Sequence, residues 1–190
     1  MNNKIFKLAG ILFLICAVAA GVLAWLNDAT KDKIAENQLK ASMDPAVIAL
    51  VNPDAETFVP YEDVALVETI KAENGKFKDL YTQVDSSGNP LGYAVKTLST
   101  VGGFGGDIEL YVGISPEGKI TGTAVIAHSE TSGLGSRVGE PDFMGQFKDK
   151  DATQEIGDSD YSAISGVTVS SKSFTSAVNN AISIYNQYLK

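Results

Sequence analysis

From Leu8 to Leu26 the sequence runs LAGILFLICAVAAGVLAWL, 19 residues without a charge. At about 1.5 Å of rise per residue, a helix of this length matches the ~30 Å hydrocarbon core of a bilayer. A cleaved signal peptide would end near Ala17-Val18-Ala19 and turn polar beyond it, whereas here apolar residues continue through Leu26. Trp25 suits the far interface. A lipoprotein reading through Cys16 needs a small residue before the cysteine, and Ile15 is large. A retained transmembrane anchor is therefore expected. Lys4 and Lys7 precede the run, while Asp28, Lys31, Asp32 and Lys33 nearly cancel after it. The positive-inside tendency then puts the N-terminus in the cytoplasm and everything after the anchor outside.

The whole chain has 190 residues, enough for one domain with a real core. Its 23 acidic residues outnumber 15 basic ones, for a net charge of -8, and no lysine or arginine cluster stands ready to neutralise phosphates. Nucleic acid is not an expected partner. The single cysteine, Cys16, lies inside the apolar run, and His128 is the single histidine. Internal disulfides, histidine-cluster zinc sites and cysteine–histidine catalytic pairs are thereby excluded.

The chain divides into an N-terminus and anchor (1–27), a helical connector (28–56) and an extracytoplasmic domain (57–190). In the connector, Ile34, Gln38 and Leu39 lie between charges, as in an amphipathic helix that continues the anchor, and Pro45 can open a short helix PAVIALV. From Thr57 to Thr100 short alternating runs take over, with KDLYTQVD and YAVKTL forming a hairpin about SSGNPLG. IELYVGI and KITGTAVIAH form a second pair about SPEG. A short helix is expected at Phe143 to Phe147. Phe174, Val178, Ala181, Ile182, Tyr185 and Leu189 recur at helical spacing, which predicts a last helix with one buried face. The fold class is α+β, an antiparallel sheet covered by helices.

Three segments carry possible chemistry. Gly102, Gly103, Gly105 and Gly106 are glycine-dense, but they lead into a strand and lack the Lys-Ser/Thr of a phosphate loop, so a bent hairpin approach is the simpler reading. His128, Glu130 and Ser129 or Ser132 could compose a hydrolase triad, without any G-x-S-x-G motif to present the serine. AISGVTVSSKSF, Ala163 to Phe174, is more informative. Ser165, Gly166, Val167, Thr168 and Ser170 lie just ahead of the last helix, where free N–H groups and the positive end of the helix dipole suit a phosphate. A plain N-cap by Ser171 or Ser173 explains the same hydroxyls.

SGVT at Ser165 to Thr168, with GFGGDIELYVGISPEGKITGTAVIAHSETSGLG at Gly103 to Gly135, resembles the flavin-carrying subunits of two related bacterial membrane complexes. These are the G subunit of the Rnf ferredoxin:NAD oxidoreductase and the C subunit of the sodium-pumping NADH:quinone oxidoreductase. The resemblance spans nearly the entire chain, and two separate motifs occur in the correct order. It implies one transmembrane helix carrying an outer FMN-binding domain. It also implies covalent FMN, its phosphate esterified to the threonine of an S/T-G-A-T motif by a separate flavin transferase that uses FAD. Thr168 takes that position; Ser165, Gly166, Val167 and Ser170 surround it. Glu130, Thr131, Gly133, Leu134 and Gly135 match the loop that in the family lies near the isoalloxazine ring. Val167 replaces the usual alanine, Ser132 a common proline, and Ser162 a frequent aspartate.

The resemblance further implies an electron-transfer role in a membrane complex that builds a cation gradient. The chain has no iron–sulfur cysteines and no dinucleotide fingerprint, and one helix cannot form an ion path. Partner subunits of the complex would supply these. The Rnf G subunit is the favoured member of the pair. The alternatives are the C subunit of the quinone oxidoreductase, a non-redox membrane-tethered binding module and a secreted serine hydrolase.

Overall fold

The computed structural model describes residues 2–190, and of residues 2–4, 32 and 34–42 the backbone alone. Helix α1 (Asn2–Ser42) is continuous, so the apolar run and the amphipathic stretch after it form one element. Its segment Ile5–Lys31 is long and apolar enough to cross a membrane. Leu8, Phe13 and Trp25 are all exposed on it, which in water would leave a large apolar surface uncovered.

The second compact unit is Ser42–Lys190. The carboxylate of Asp44 accepts the N–H of Ala46 at 2.8 Å and Pro45 occupies the first turn, which together start helix α2 (Pro45–Val51). Five strands follow: β1 (Thr57–Pro60), β2 (Phe77–Val84), β3 (Pro90–Leu98), β4 (Glu109–Ile114) and β5 (Ile120–Ala127). Each pairs antiparallel with the next in sequence, giving the sheet order β1-β2-β3-β4-β5. The two expected hairpins are β2–β3 and β4–β5, with Leu80 opposite Val95 and Tyr111 opposite Ala124.

Between β1 and β2 lies helix α3 (Val64–Glu73), where the sequence reading expects only strands and turns. Asp63 caps it by accepting the N–H of Leu66 at 2.9 Å. Only Val67 and Ile70 on it are buried, a stripe too narrow to announce a helix.

Alternation along the strands divides the core in two. Leu80, Val95, Leu110 and Val112 face one side and pack with Ile70, Phe143, Phe147, Phe174 and Val178. Tyr81, Ala94, Tyr111 and Ala124 face the other and are covered by Ile48 and Val51 of α2. The hydroxyl of Thr121 donates to the carbonyl of Val51 at 2.8 Å, fixing α2 on the sheet.

After β5 the chain makes a 3-10 turn (Gly135–Gly139), helix α4 (Pro141–Met144) and a second 3-10 turn (Gly145–Phe147), a little earlier than the expected Phe143–Phe147 helix. The last helix, α5 (Thr168–Ile184), tightens the core and continues as a π-helical turn over Tyr185–Leu189. Phe174 is its centre, with ring centroids 5.2 Å from Phe143 and 5.0 Å from Phe147. Burying such side chains contributes roughly 1.5–3 kcal/mol each, which holds the start of α5 rigidly over the sheet.

Candidate functional site: a cleft at the start of the last helix

Helix α5 begins at Thr168, so Thr168 and Ser170 belong to its first turn and do not precede it. Neither Ser171 nor Ser173 caps it. Both are buried within the helix, and the Ser171 hydroxyl donates back to the carbonyl of Val167 at 2.9 Å. The cap position falls on Val167, whose side chain offers no oxygen. Gly166 leads into it at φ 77°, a left-handed conformation that glycine adopts without strain. The first backbone bond of the helix joins the N–H of Ser171 to the carbonyl of Val167 at 2.9 Å. The N–H groups of Thr168, Val169 and Ser170 therefore have no partner among the described residues, and they sit at the positive end of a 17-residue helix.

Glu130 organises the facing side. It follows β5 by three residues, is only 8% exposed, and its two carboxylate oxygens reach different segments. One accepts the N–H of Gly105 at 2.9 Å and the other accepts the hydroxyl of Ser170 at 2.6 Å. A single side chain thus joins the glycine-rich β3–β4 connection, the loop after β5 and the first turn of α5. Gly135 packs directly under it: a Cβ there would overlap the Glu130 carboxylate and crowd the Ser170 hydroxyl. The carbonyl of Thr131 closes the loop by accepting the N–H groups of Leu134 and Ser136 at 3.1 and 3.2 Å. The glycine-rich connection is tied down a second time where Ser176 of α5 accepts the N–H groups of Thr100 and Val101, both at 3.1 Å.

These segments enclose a cleft of about 320 Å³, within the size range of small-molecule sites. Of the residues expected from the sequence, Glu130, Thr131, Leu134, Gly135, Gly166, Val167, Thr168 and Ser170 line it. Gly133 and Ser165 are exposed in the same loops, beside the lining. Two wall residues escape the sequence reading, Phe104 and Val169. Phe104 is 81% exposed, at the tip of a turn closed by the bond from Gly103 N–H to Gly106 carbonyl at 2.6 Å. An aromatic residue flanked by glycines was the available signal.

The arrangement suits a ligand with two parts. Phe104, Leu134 and Val169 present apolar surface that is half or more exposed, fit for a flat apolar ring. The free N–H groups of Thr168 to Ser170 suit an anion. Glu130 is the one ionisable side chain in the wall. Lys172, one turn along, is exposed and held by Asp158 at 2.7 Å, a hydrogen bond and charge that raise its ammonium above the ordinary lysine range. The hydrolase alternative is not assembled: Nδ1 of His128 accepts the N–H of Glu130 at 3.2 Å, while the Glu130 carboxylate is turned away toward Gly105 and Ser170.

Residues 103–183 match the FMN-binding domain family, and residues 1–44 match the RnfG N-terminal region. The chain is 36% identical to the G subunit of the Na+-translocating ferredoxin:NAD+ oxidoreductase complex of Acetobacterium woodii, over 98% of this chain and 94% of that one. It is 32% identical to the G subunit of the proton-translocating ferredoxin:NAD+ oxidoreductase complex of Clostridium ljungdahlii, over 95% and 91%. To the G subunit of the ion-translocating oxidoreductase complex of Methanosarcina acetivorans it is 32% identical, over 95% and 94%. In fold it resembles the crystal structure of the C subunit of the Na+-translocating NADH-quinone reductase from Parabacteroides distasonis, with a TM-score of 0.51 and 23% identity over 74% of this chain and 75% of that one. With near-complete coverage of relatives above 30% identity, the chain belongs to the family of G subunits of ion-translocating oxidoreductase complexes.

Proposed function

We propose that this chain is the electron-transfer G subunit of an Rnf-type ferredoxin:NAD oxidoreductase complex, carrying FMN in the cleft as a phosphoester of Thr168. The observation that carries the proposal is the position of Thr168: exposed, in the first turn of α5, with three unpartnered N–H groups beside it and apolar walls opposite. The residues present fit the group: anion-binding N–H groups for its phosphate and apolar surface for its ring.

Bound there, FMN supplies redox chemistry that no side chain of this domain offers. In maturation by a flavin transferase, the Thr168 oxygen bonds to the flavin-side phosphorus of FAD as the P–O bond to AMP breaks, and the hydroxyl proton is released. Thr168 is afterwards an anchor with no part in turnover. The N–H groups of Thr168, Val169 and Ser170 hold the phosphate. Phe104, Leu134 and Val169 keep water from the ring, with Thr131, Gly133, Leu134 and Gly135 forming the loop against it. Ser165, Gly166 and Val167 shape the approach to the threonine, and Glu130 and Ser170 fix the two halves of the cleft.

Helix α1 anchors the protein in the membrane, and the FMN domain lies on the outer side. Covalent attachment suits that placement, because FMN lost outside the cell is not readily replaced. Iron–sulfur centres, the dinucleotide site and the ion path belong to partner subunits. The test is the intact mass of the protein co-expressed with its flavin transferase. The wild type gains the mass of an FMN phosphoryl group and Thr168→Ala does not; equal gain by both would overturn the assignment.

A further inference from the structure

We propose that the Glu130 carboxylate sets the redox potential of the cleft, holding it lower than the same cleft without that charge. The inference rests on the reading above, that the cleft holds a flavin. Glu130 is the single ionisable side chain in a wall otherwise built of apolar, glycine and hydroxyl residues. It is only 8% exposed. Both bonds it makes are donated to it, by the N–H of Gly105 at 2.9 Å and the hydroxyl of Ser170 at 2.6 Å. Those partners stabilise an anion, and among the described residues no cation pairs with it. The lysine of α5, Lys172, is committed to Asp158 and exposed.

A charge only 8% exposed is screened less by solvent than a surface charge, so it acts more strongly over short distances. Each electron that enters the cleft without a proton adds negative charge beside this carboxylate. Reduction is thereby made harder, and the bound group becomes the stronger reductant toward the next carrier. The positive end of α5 acts in the opposite direction, but it is the same in every side-chain variant, so the carboxylate term can be isolated.

Glu130→Gln keeps the shape and both bonds: its amide oxygen accepts from Gly105, and its amide nitrogen donates to Ser170. Ser170→Ala removes one bond and keeps the charge. The experiment first scores FMN attachment by intact mass in the full-length protein. It then measures midpoint potentials by equilibrium redox titration of flavin absorbance. Read on the FMN-loaded fraction of each variant, the expected result is a more positive potential in Glu130→Gln and no positive shift in Ser170→Ala. Equal potentials in loaded wild type and Glu130→Gln would overturn the inference while leaving the attachment at Thr168 intact. So would a positive shift in Ser170→Ala as large as that in Glu130→Gln, which would assign the effect to cleft geometry. If Glu130→Gln fails to load while Glu130→Asp loads, the charge serves attachment and the inference also falls. No attachment in the wild type would sink the parent reading and this one with it, and that outcome is visible before any potential is measured.

Discussion

The hydroxyl of Ser176 accepts the backbone N–H of Val101 at 3.1 Å and that of Thr100 at the same distance, across 75 and 76 residues of sequence. Two turns into α5, one short side chain therefore fixes the start of the glycine-rich connection that carries Phe104. Ser176→Ala removes the acceptor for both donors and is expected to destabilise the domain by about 1 kcal/mol. The change is local, so amide hydrogen exchange should accelerate at Thr100 and Val101 well before it does at Val95 in the buried part of β3. Uniform acceleration across the sheet would show that Ser176 supports the whole domain and not the connection alone.

Gly135 tests the packing beneath Glu130. Alanine there must displace either the Glu130 carboxylate or the Ser170 hydroxyl, since the new Cβ occupies their space. Leaving buried hydrogen-bonding groups unpaired costs about 1–3 kcal/mol. Gly135→Ala should lower the midpoint of chemical unfolding and reduce the FMN attachment proposed at Thr168, measured on the same preparation by denaturation and intact mass. Gly145→Ala is the control: it sits at the boundary of α4 with open space around its Cα and should change neither.

How far the site could be read from the sequence depended on the range of the interactions that make it. The β2–β3 and β4–β5 hairpins were legible because alternation and turn residues are local signals. The start of α5 was not. Ser171 and Ser173 carry the usual signature of a cap, yet both lie inside the helix, where Ser171 turns its hydroxyl back to Val167, and Ser170 gives its own to Glu130, forty residues away. That long-range bond satisfies the Ser170 hydroxyl in the first helical turn, and no local pattern announces it. Helix α3 was missed for the opposite reason, having only Val67 and Ile70 as its buried stripe. Phe104 entered the wall only because Glu130 and Ser176 draw its loop to α5. The place of Thr168 in the cleft wall was legible through the resemblance of its motif, while its attachment to FMN remains the proposal made above.

Phe174 ties the site to the core. Its ring is fully buried between Phe143 and Phe147, one turn after the Ser170 that meets Glu130. Phe174→Ala leaves a cavity that α5 cannot close without moving, and it should cost about 3–5 kcal/mol. Phe174→Leu retains most of the volume and should cost clearly less, so a comparison of unfolding midpoints separates lost packing from general intolerance at this position.

Tyr81 makes the alkaline limb of stability specific. Burial first, then the neighbouring Tyr111 and the Asp79 carboxylate, push its phenol well above the ordinary tyrosine value. The folded state therefore holds the proton more tightly than the unfolded chain, whose tyrosines titrate near 10. The stabilisation is complete below about pH 10 and is lost as pH rises above it, because only the unfolded chain then gains by ionising. Phenolate absorbance at alkaline pH should show Tyr81 protected until the domain unfolds. In Tyr81→Phe, which keeps the ring against Tyr111 at 5.8 Å, stability should decline less steeply over that range.

The proposed placement of the FMN domain outside the membrane predicts labelling from that side. Glu117 lies exposed in the turn between β4 and β5, away from the cleft at the other end of those strands. Cys16 is the single native cysteine and lies in α1, so Cys16→Ala combined with Glu117→Cys creates one reporter thiol. In cells without an outer barrier, an impermeant maleimide should label this variant before lysis, whereas a cytoplasmic domain would be labelled only afterwards. The second outcome would reverse the orientation of α1. It would also remove the argument that covalent attachment compensates for FMN lost outside the cell, leaving the chemistry of Thr168 to be justified by the cleft alone.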